Sequence, residues 1–432
     1  MGRYGTAMRS LAALGAAGLA CASAMVVLAD APAAATTVND ESSFRTAWTN
    51  AAETQIDLAA DITLTCGGGT APTRNSSTAV AVNGHGFAIH QTCAGQRVLH
   101  STGSAAITFT RVTITGGTLS SGNGGGIEAS SSVTFIGSTI NDNTAAGTGG
   151  GIHVDPGTLT LTSSLVSHNT AGGDGGGADV QGGALDVTDS TFDSNMSTSG
   201  GGGAFFRDGS SGGDVFLTRS TISNNQAPTP REGTGGADSL RPVTIVNSTV
   251  TGNSGNTGGV SQAGGGTTTI VYSTIVGNTS ISSGTANIAQ ASGSIASFGS
   301  VVALPNGGPN CTLNNATTTS SGENFSDDAS CGFTNTAAGD RQDAGDPKLA
   351  ALTDNGGPTL TRLPVSGSPL VDAIPLASCQ ADGASGVDTD QRGIIRPQGP
   401  GCDIGAVEVQ AAISPSPSPS PTPVVVTPAF TG

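Results

Sequence analysis

Short alternations of apolar and polar residues recur along the middle of the chain. Examples are Val133-Thr134-Phe135-Ile136, Leu159-Thr160-Leu161-Thr162 and Val243-Thr244-Ile245-Val246. Apolar residues at every second position predict strands with one buried face, because successive side chains of a strand point to opposite sides. Segments rich in glycine, serine and asparagine separate these runs. The pattern predicts many short strands.

The strands belong to a repeat with two signatures. One is a glycine cluster followed by an apolar residue, as in Gly124–Ile127 and Gly149–Ile152. The other is Ser-(Thr or Leu)-(aliphatic or Phe)-x-x-Asn, with copies at Ser138–Asn143, Ser164–Asn169, Ser190–Asn195, Ser220–Asn225, Ser248–Asn253 and Ser273–Asn278. Successive Asn residues are 26, 26, 30, 28 and 25 positions apart. Such a unit has no room for a helix, which excludes ankyrin, tetratricopeptide and HEAT arrays.

This repeat predicts an all-β fold, a right-handed parallel β-helix with about 25–28 residues per coil. Each coil rises by one strand spacing, about 4.8 Å, and crossovers between parallel strands are right-handed. We expect inward stacks such as Ile127 over Ile152, with glycine supplying positive φ at the corners. Asn also tolerates the left-handed region. Its amides should form a ladder from coil to coil, made of Asn143, Asn169, Asn195, Asn225, Asn253 and Asn278.

A short helix is predicted before the first coil. Ser42–Ala52 carries Phe44, Trp48 and Ala51 on one face, with Ser42 or Ser43 as its N-cap. The end of a β-helix exposes unpaired strand edges. We therefore expect this helix to cap the N-terminal end, with Trp48 as a plug over the first coil.

The beginning of the chain predicts an export signal. Arg3 and Arg9 precede an apolar stretch, Leu11–Ala29, and an Ala-rich exit. Cleavage is expected after Ala35, with Ala31 as the alternative site. A membrane anchor is the other interpretation of the stretch, but no stop-transfer flank follows it.

The other end is a Ser-Pro repeat from Ser414 to Pro423, which predicts an extended spacer. We therefore expect the following domains: 1–35 signal peptide, 36–57 N-terminal cap, 58–304 β-helix, 305–410 Cys-containing C-terminal coils and cap, and 411–432 Ser/Pro-rich tail.

Charge and cysteine content narrow the class of protein. The net charge is −16, and Lys348 is the only lysine. Nucleic-acid binding needs clustered Lys and Arg, so it is excluded. Six cysteines remain after the signal, and in an oxidising compartment they predict disulfides. All 15 pairings stay open, and the simplest is local: Cys66–Cys93, Cys311–Cys331 and Cys379–Cys402.

One column of side chains is a candidate for chemistry. The residue after each glycine cluster should point inward, so the next residue should point outward. These outward residues are Glu128, His153, Asp179, Phe205, Asp238 and Ser261. Glu128 and Asp179 would lie about 9–10 Å apart with His153 between them, near the roughly 6.5–9.5 Å gap of inverting glycosidases. The alternatives are a small acidic site for a sugar or divalent metal, and an ordinary solvated face.

Two groups of aspartates have spacings that could suit Ca²⁺. They are Asp340, Asp343 and Asp346, and Asp388 with Asp390. The glycine turn and final glutamate of an EF-hand are missing, and Asp-Pro and Asp-Asn-Gly favour turns. We therefore expect turn and cap residues and no cofactor, with Ca²⁺ as the alternative.

The repeat resembles that of polymorphic outer-membrane proteins, best at Gly202-Gly203-Ala204 and Phe192-Asp193-Ser194-Asn195. The C-terminal part resembles the choice-of-anchor Q domain of secreted bacterial β-helix proteins. That resemblance rests on Gly345-Asp346-Pro347, Asp354–Thr359, Asp390-Gln391-Arg392-Gly393 and Cys402–Ala406. Together the two resemblances cover about 36–408 and imply a secreted or surface protein with varied anchoring. They imply no particular reaction.

These observations predict an exported bacterial protein, secreted or at the cell surface. We expect a monomer with no transmembrane span in the mature chain. Its expected role is non-catalytic adhesion or contact with an extracellular glycan or a host or cell-surface protein. The alternatives are a carbohydrate-active enzyme of this fold, either a polysaccharide lyase or a glycoside hydrolase, and a structural surface component. A lyase needs a basic residue and clustered calcium-binding carboxylates on consecutive coils, and the sequence gives little support for either.

Overall fold

Parallel strands stack coil upon coil through most of the chain. The computed structural model describes residues 35–209, 212–229, 233–379 and 387–410. They form a parallel β-solenoid of about ten turns. Each full coil adds one strand to each of three sheets, and neighbouring coils pair in parallel register. The predicted all-β parallel β-helix is confirmed.

The strand bounds follow the repeat. Sheet 1 contains Thr36–Val38, Gln55–Leu58, Val80–Asn83, Ile107–Thr110, Val133–Ile136, Val215–Thr218, Val243–Val246, Thr267–Val271, Gly293–Phe298 and Ala316–Ser320. Sheet 2 contains Ile62–Leu64, Ala88–Gln91, Thr113–Thr115, Thr139–Asn141, Leu165–Ser167, Thr191–Asp193, Thr221–Ser223, Thr249–Thr251, Thr274–Val276, Val301–Ala303 and Phe325–Ser326. Sheet 3 contains Thr73–Arg74, Leu99–Ser101, Ile127–Ala129, Phe205–Asp208, Ala237–Ser239, Val260–Gln262, Ile288–Gln290 and Cys311–Leu313. Two long strands, Ile152–Thr162 and Ala178–Thr188, pass from sheet 3 into sheet 1.

Smaller elements lie outside these sheets. The arcs that join sheet 2 to sheet 3 carry Thr118–Leu119, Thr144–Ala145, Thr170–Ala171, Met196–Ser197, Ser254–Thr257 and Thr279–Thr285. One antiparallel pair joins Ile374–Pro375 to Gly401–Cys402. The helical segments are Glu41–Thr49, Cys66–Gly68, Thr336–Ala338 and Leu376–Cys379.

Stacked aliphatic side chains fill the interior. Ile127 pairs with Ile152, and Ile140 pairs with Ile114 on one side and Val166 on the other. All five are fully buried. Because each strand has one buried face, the period of two in the sequence accounts for these columns.

Polar ladders run along two corners of the central coils. Asn169 donates from its backbone N and from Nδ2 to Asn195 Oδ1, at 3.1 and 3.0 Å. The same pattern links Asn143, Asn169, Asn195, Asn225, Asn253 and Asn278. The serine of the repeat builds a second ladder, in which the backbone N of Ser138 donates to Ser164 Oγ at 3.1 Å. Stacking these side chains satisfies backbone donors that the bends would otherwise leave unpaired.

The left-handed corner residue is not the asparagine. Asp142 precedes Asn143 and has φ 53°, and His168 precedes Asn169 with φ 55°. Asn does tolerate this region, since Asn224, which precedes Asn225, takes it with φ 56°. The preceding residue makes the turn, and the Asn that follows points inward to hydrogen-bond.

The N-terminal helix begins one residue earlier and ends three residues earlier than predicted. It spans Glu41–Thr49, and its N-cap is Asp40, whose side chain accepts from the Ser43 backbone N at 2.8 Å. Ser43 bonds back to the Asp40 backbone N at 3.3 Å, which completes a capping box. The prediction of Ser42 or Ser43 as N-cap is therefore wrong, and Ala51 is exposed rather than part of the buried face.

Trp48 lies at the N-terminal end of the core. Its ring stacks on Phe109 at 6.1 Å between centroids, and its Nε1 donates to the Pro72 carbonyl at 3.1 Å. It is fully buried together with Phe44. The helix thus covers apolar surface that the first coil would expose.

The C-terminal part first closes the coil stack and then turns along its flank. Phe333 joins the main core beyond the last strands. From Arg341 onward the chain packs on the outer face of sheet 2, where Gln391 bonds to Thr221 and Thr249. The Ala406 N donates to Thr274 Oγ1 at 2.9 Å. We name residues 341–379 with 387–410 the flank segment.

Three disulfides join nearby cysteines among the described residues. They join Cys66 to Cys93, Cys311 to Cys331 and Cys379 to Cys402, with Cα–Cα distances of 4.9, 4.8 and 5.9 Å. These are the local pairs that the sequence favours.

Some predictions concern other parts of the chain. The signal peptide, apart from Ala35, and the Ser/Pro-rich tail lie outside the described residues. Among the residues that are described, none belongs to a helix long and apolar enough to cross a membrane.

Candidate functional site

The residues that follow the inward positions of sheet 3 form one continuous column. Backbone pairing sets Glu128 beside His153, and His153 beside Asp179, as the repeat predicts. We name this set the outer column. In coil order it contains Thr73, His100, Glu128, His153, Asp179, Phe206, Asp238, Ser261 and Ala289.

One predicted member of the column is wrong. The alignment puts Ala204 inward and Phe205 outward, but Phe205 pairs with Ala178 and is fully buried. Phe206 takes the outward place. The Ala204 carbonyl accepts from the Gly177 N, so Ala204 occupies the position of the last glycine in that coil.

The outer column is largely covered rather than open to solvent. The side chains of His153 and Asp179 are 5% and 0% exposed, whereas that of Glu128 is 26% exposed. Asn123 and Thr148, on the arcs before sheet 3, bond to each other and to His153. The prediction of an outer face is therefore wrong for His153 and Asp179, because the arcs fold back over them.

Glu128 is paired with two basic side chains. Its Oε2 contacts Arg97 in an ion pair and lies 3.4 Å from His100 Nε2. Burial lowers the pKa of His100, and the Arg97 charge lowers it further against the opposing pull of Glu128. Arg97 is therefore the main counter-charge of Glu128 at neutral pH. The Arg97 guanidinium thus balances the negative charge of the Glu128 carboxylate.

His153 and Asp179 form a closed pair. His153 Nδ1 lies 2.9 Å from Asp179 Oδ2, and Nε2 lies 3.4 Å from Asn123 Nδ2. Since an amide nitrogen only donates, we assign the proton to Nδ1, which then donates to Asp179. Within the described chain, Asp179 Oδ1 has no hydrogen-bond partner. A substrate in solution cannot reach this pair without movement of the arcs.

The column opens into a cleft two coils further on. The cleft measures about 670 Å³, and its lining includes Asp174, Phe206, Asp238, Asn256 and Ser261. We name this cavity the acidic cleft.

Two carboxylates meet at one glycine in the acidic cleft. The Gly201 N donates to Asp174 Oδ1 at 2.5 Å. A Cβ on Gly201 would lie 2.2 Å from Asp238 Oδ2 and 3.7 Å from Asp174 Oδ1. Both distances start from one point, so the two oxygens are at most 5.9 Å apart, the sum of the two. Any side chain at position 201 would therefore collide with Asp238.

Asp238 is the titratable group most changed by this environment. Burial is the main cause that raises its pKa, to about 7, and the Asp174 charge adds to it, while hydrogen bonds from Ser261 and Thr234 oppose it. Asp238 is therefore partly protonated near neutral pH, mainly because it is buried and further because Asp174 is close to it.

Two of the aspartates suggested for Ca²⁺, Asp340 and Asp390, have structural partners. Asp340 Oδ1 accepts from the backbone and side chain of Asn324, at 3.1 and 2.9 Å. Asp390 accepts from the backbone N of Arg392 and Ile394. In the part of the chain that the structure describes, no group of three His, Cys, Asp or Glu residues is arranged to hold a metal ion.

Comparison with known proteins gives one match. A family model described as a putative pectate lyase-like adhesive domain matches residues 35–148. The match covers the N-terminal helix and the first coils, and it ends before Asp174 and Asp238. No curated protein and no solved structure matches the chain.

The acidic cleft was only partly visible in the sequence. Asp238 and Ser261 were in the predicted column, but Asp174 lies on an arc outside it. The sequence does contain one indication of Asp174: it is the charged residue within the glycine cluster Gly172-Gly173-Asp174-Gly175.

Proposed function

We propose that this protein is an extracellular β-helix adhesin that binds a glycan without cleaving it. The observation that carries the proposal is the similarity of residues 35–148 to a putative pectate lyase-like adhesive domain. The disulfides support an oxidising, extracytoplasmic compartment. The pairing of Glu128 with Arg97, and the burial of Asp179, argue against acid–base catalysis in the predicted column.

The finer parts of this proposal come from the sequence. Residues 1–35 would direct export from a bacterial cell, and residues 305–410 would act as a choice-of-anchor Q-like domain behind polymorphic outer-membrane protein-like repeats. The mature protein would be a monomer. Sequencing the N-terminus of the exported protein tests the first point, since a start at Thr36 is expected and an uncleaved Met1 would contradict it.

The central test is an array of polysaccharides probed with the purified protein, with and without Ca²⁺. Saturable binding without new reducing ends or unsaturated uronates is the expected result. Turnover would contradict the proposal. Absence of any binding would favour a structural role or a protein partner.

A glycoside hydrolase is the second candidate, and the acidic cleft is the observation that favours it. Retaining glycosidases place two carboxyl groups about 5–5.5 Å apart, and the acid of such a pair has a raised pKa. The carboxylate oxygens of Asp174 and Asp238 are at most 5.9 Å apart, which is compatible with that separation. Release of reducing ends that Asp238→Asn abolishes would establish this function.

A further inference from the structure

The acidic cleft combines groups that other parts of the outer column lack. Phe206 is half-buried in its lining, with Asp179 and Asp238 on the neighbouring rungs. Asn256 and Ser261 add an amide and a hydroxyl on the same cavity. An aromatic face beside convergent polar groups in a concave site is the usual composition of a small-molecule pocket.

The size of the cleft limits its occupant. Its volume of about 670 Å³ lies within the roughly 300–1,000 Å³ of typical ligand pockets. Asp174 and Asp238 stand at most 5.9 Å apart across Gly201. Two carboxyl groups within this distance can bind two neighbouring hydroxyl groups of one sugar ring.

The negative charge of the cleft favours uncharged sugars over acidic ones. Its described lining contains neither Lys nor Arg, and the protein carries a net charge of −16. A uronate would bring a further negative charge against Asp174 in a partly desolvated cavity, where repulsion is stronger than in water. An uncharged ring would avoid this repulsion and still use both carboxyl groups.

We propose that the acidic cleft binds an uncharged sugar residue of a polysaccharide, with its ring against Phe206 and its hydroxyl groups on Asp174 and Asp238. This inference rests on the proposed glycan-binding function and gives it a site and a substrate class. It places the site on coils beyond the region that is similar to the adhesive domain.

The test measures binding of the full protein to laminarin and galactomannan as neutral polymers, polygalacturonate as an acidic one and chitosan as a cationic one. Neutral polymers should bind saturably, and Phe206→Ala and Asp174→Asn should each weaken that binding at least tenfold. Phe216→Ala is the matched control, because Phe216 is 43% exposed on sheet 1, away from the cleft. Asp155→Asn is the control for Asp174, since Asp155 is exposed on another part of the surface. Thermal unfolding of each variant checks that it is folded.

The outcomes separate the two proposals. Binding of a neutral polymer that survives Phe206→Ala and Asp174→Asn overturns this site but leaves glycan adhesion standing. Preferential binding of polygalacturonate or chitosan overturns the assignment of an uncharged sugar. No binding to any polymer overturns both. A second measurement tests the same site from its backbone: Gly201→Ala should weaken binding because its Cβ would displace the Asp238 carboxylate. Unchanged binding in a folded Gly201→Ala protein also overturns the site.

Discussion

Removal of one rung from the asparagine ladder should destabilise the protein strongly. Asn195 is fully buried and makes four side-chain hydrogen bonds. Its Oδ1 accepts from the backbone N and Nδ2 of Asn169, and its Nδ2 donates to the Val166 carbonyl and to Asn225 Oδ1, both at 2.9 Å. Asn195→Ala removes all four and leaves the Asn169 N without its acceptor.

The magnitude follows from these bonds. A hydrogen bond contributes about 1 kcal/mol net, and a buried donor left unpaired costs about 1–3 kcal/mol more. We expect Asn195→Ala to lower the free energy of unfolding by at least about 4 kcal/mol. Urea unfolding followed by circular dichroism measures this loss. Asn314→Ala is the control, since Asn314 is exposed and should change stability by no more than about 0.5 kcal/mol.

A second variant separates hydrogen bonding from cavity formation. Asn195→Asp keeps the size and Oδ1 but replaces the Nδ2 donor with a charge at neutral pH. It should be at least as destabilising as Asn195→Ala at pH 7. A buried carboxyl beside two acceptor oxygens has a raised pKa, so part of the lost stability should return as the pH falls, and this recovery should be complete below about pH 4. If Asn195→Ala lies within about 1 kcal/mol of Asn314→Ala, water replaces the lost bonds and the ladder does not hold the coils together.

Three further predictions concern other parts of the chain. Because the pKa of Asp238 is raised from 3.8 to about 7, its contribution to stability is complete below pH 4 and lost as the pH rises through 7. The free energy of unfolding of the native protein, measured by urea titration relative to that of Asp238→Asn, should therefore fall by up to about 4 kcal/mol over that pH range. If the unfolding free energies of the two proteins change in parallel with pH, the prediction is contradicted. Replacing both Cys66 and Cys93 by Ala should lower the free energy of unfolding by about 3.5 kcal/mol in the loop-entropy model for this separation of 27 residues. An unchanged urea midpoint would show that the bond contributes little. Arg396→Met should lower the free energy of unfolding by about 3–5 kcal/mol, because it leaves Glu408, whose side chain is 1% exposed, buried without its ion-pair partner. Limited proteolysis should then cut the flank segment first. Unchanged resistance to the protease would be evidence that Arg396 does not hold the flank segment on the coils.

The coil period and inward columns could be predicted because they repeat. Ile127, Ile152 and Ile140 each have an equivalent one coil away, so one alignment determines many contacts. The single error of register, at Phe205, arose where an alanine replaced a glycine and hid the true end of the cluster. Repetition also exposed the asparagine ladder, but not the left-handed residue before each Asn, since that position varies.

Contacts between non-repeating parts of the chain could not be predicted from the sequence. The burial of His153 depends on Asn123 and Thr148, which sit on arcs whose path has no periodic signal. The flank segment has turn residues but no strand pattern, so its docking on Thr221 and Thr249 was unforeseen. The pairing of Asp174 with Asp238 joins an arc to a strand two coils away, and only the folded chain shows that both reach Gly201.

The flank segment also determines how the molecule carries a mechanical load. A pull on Gln410 first reaches Glu408, whose carbonyl accepts a hydrogen bond from Arg392 and whose carboxylate pairs with Arg396. From there it passes to sheet 2 through Gln391 and Ala406. Thr221, Thr249 and Thr274 belong to three successive coils, so we expect tension to enter along the side of the stack and to load these contacts together.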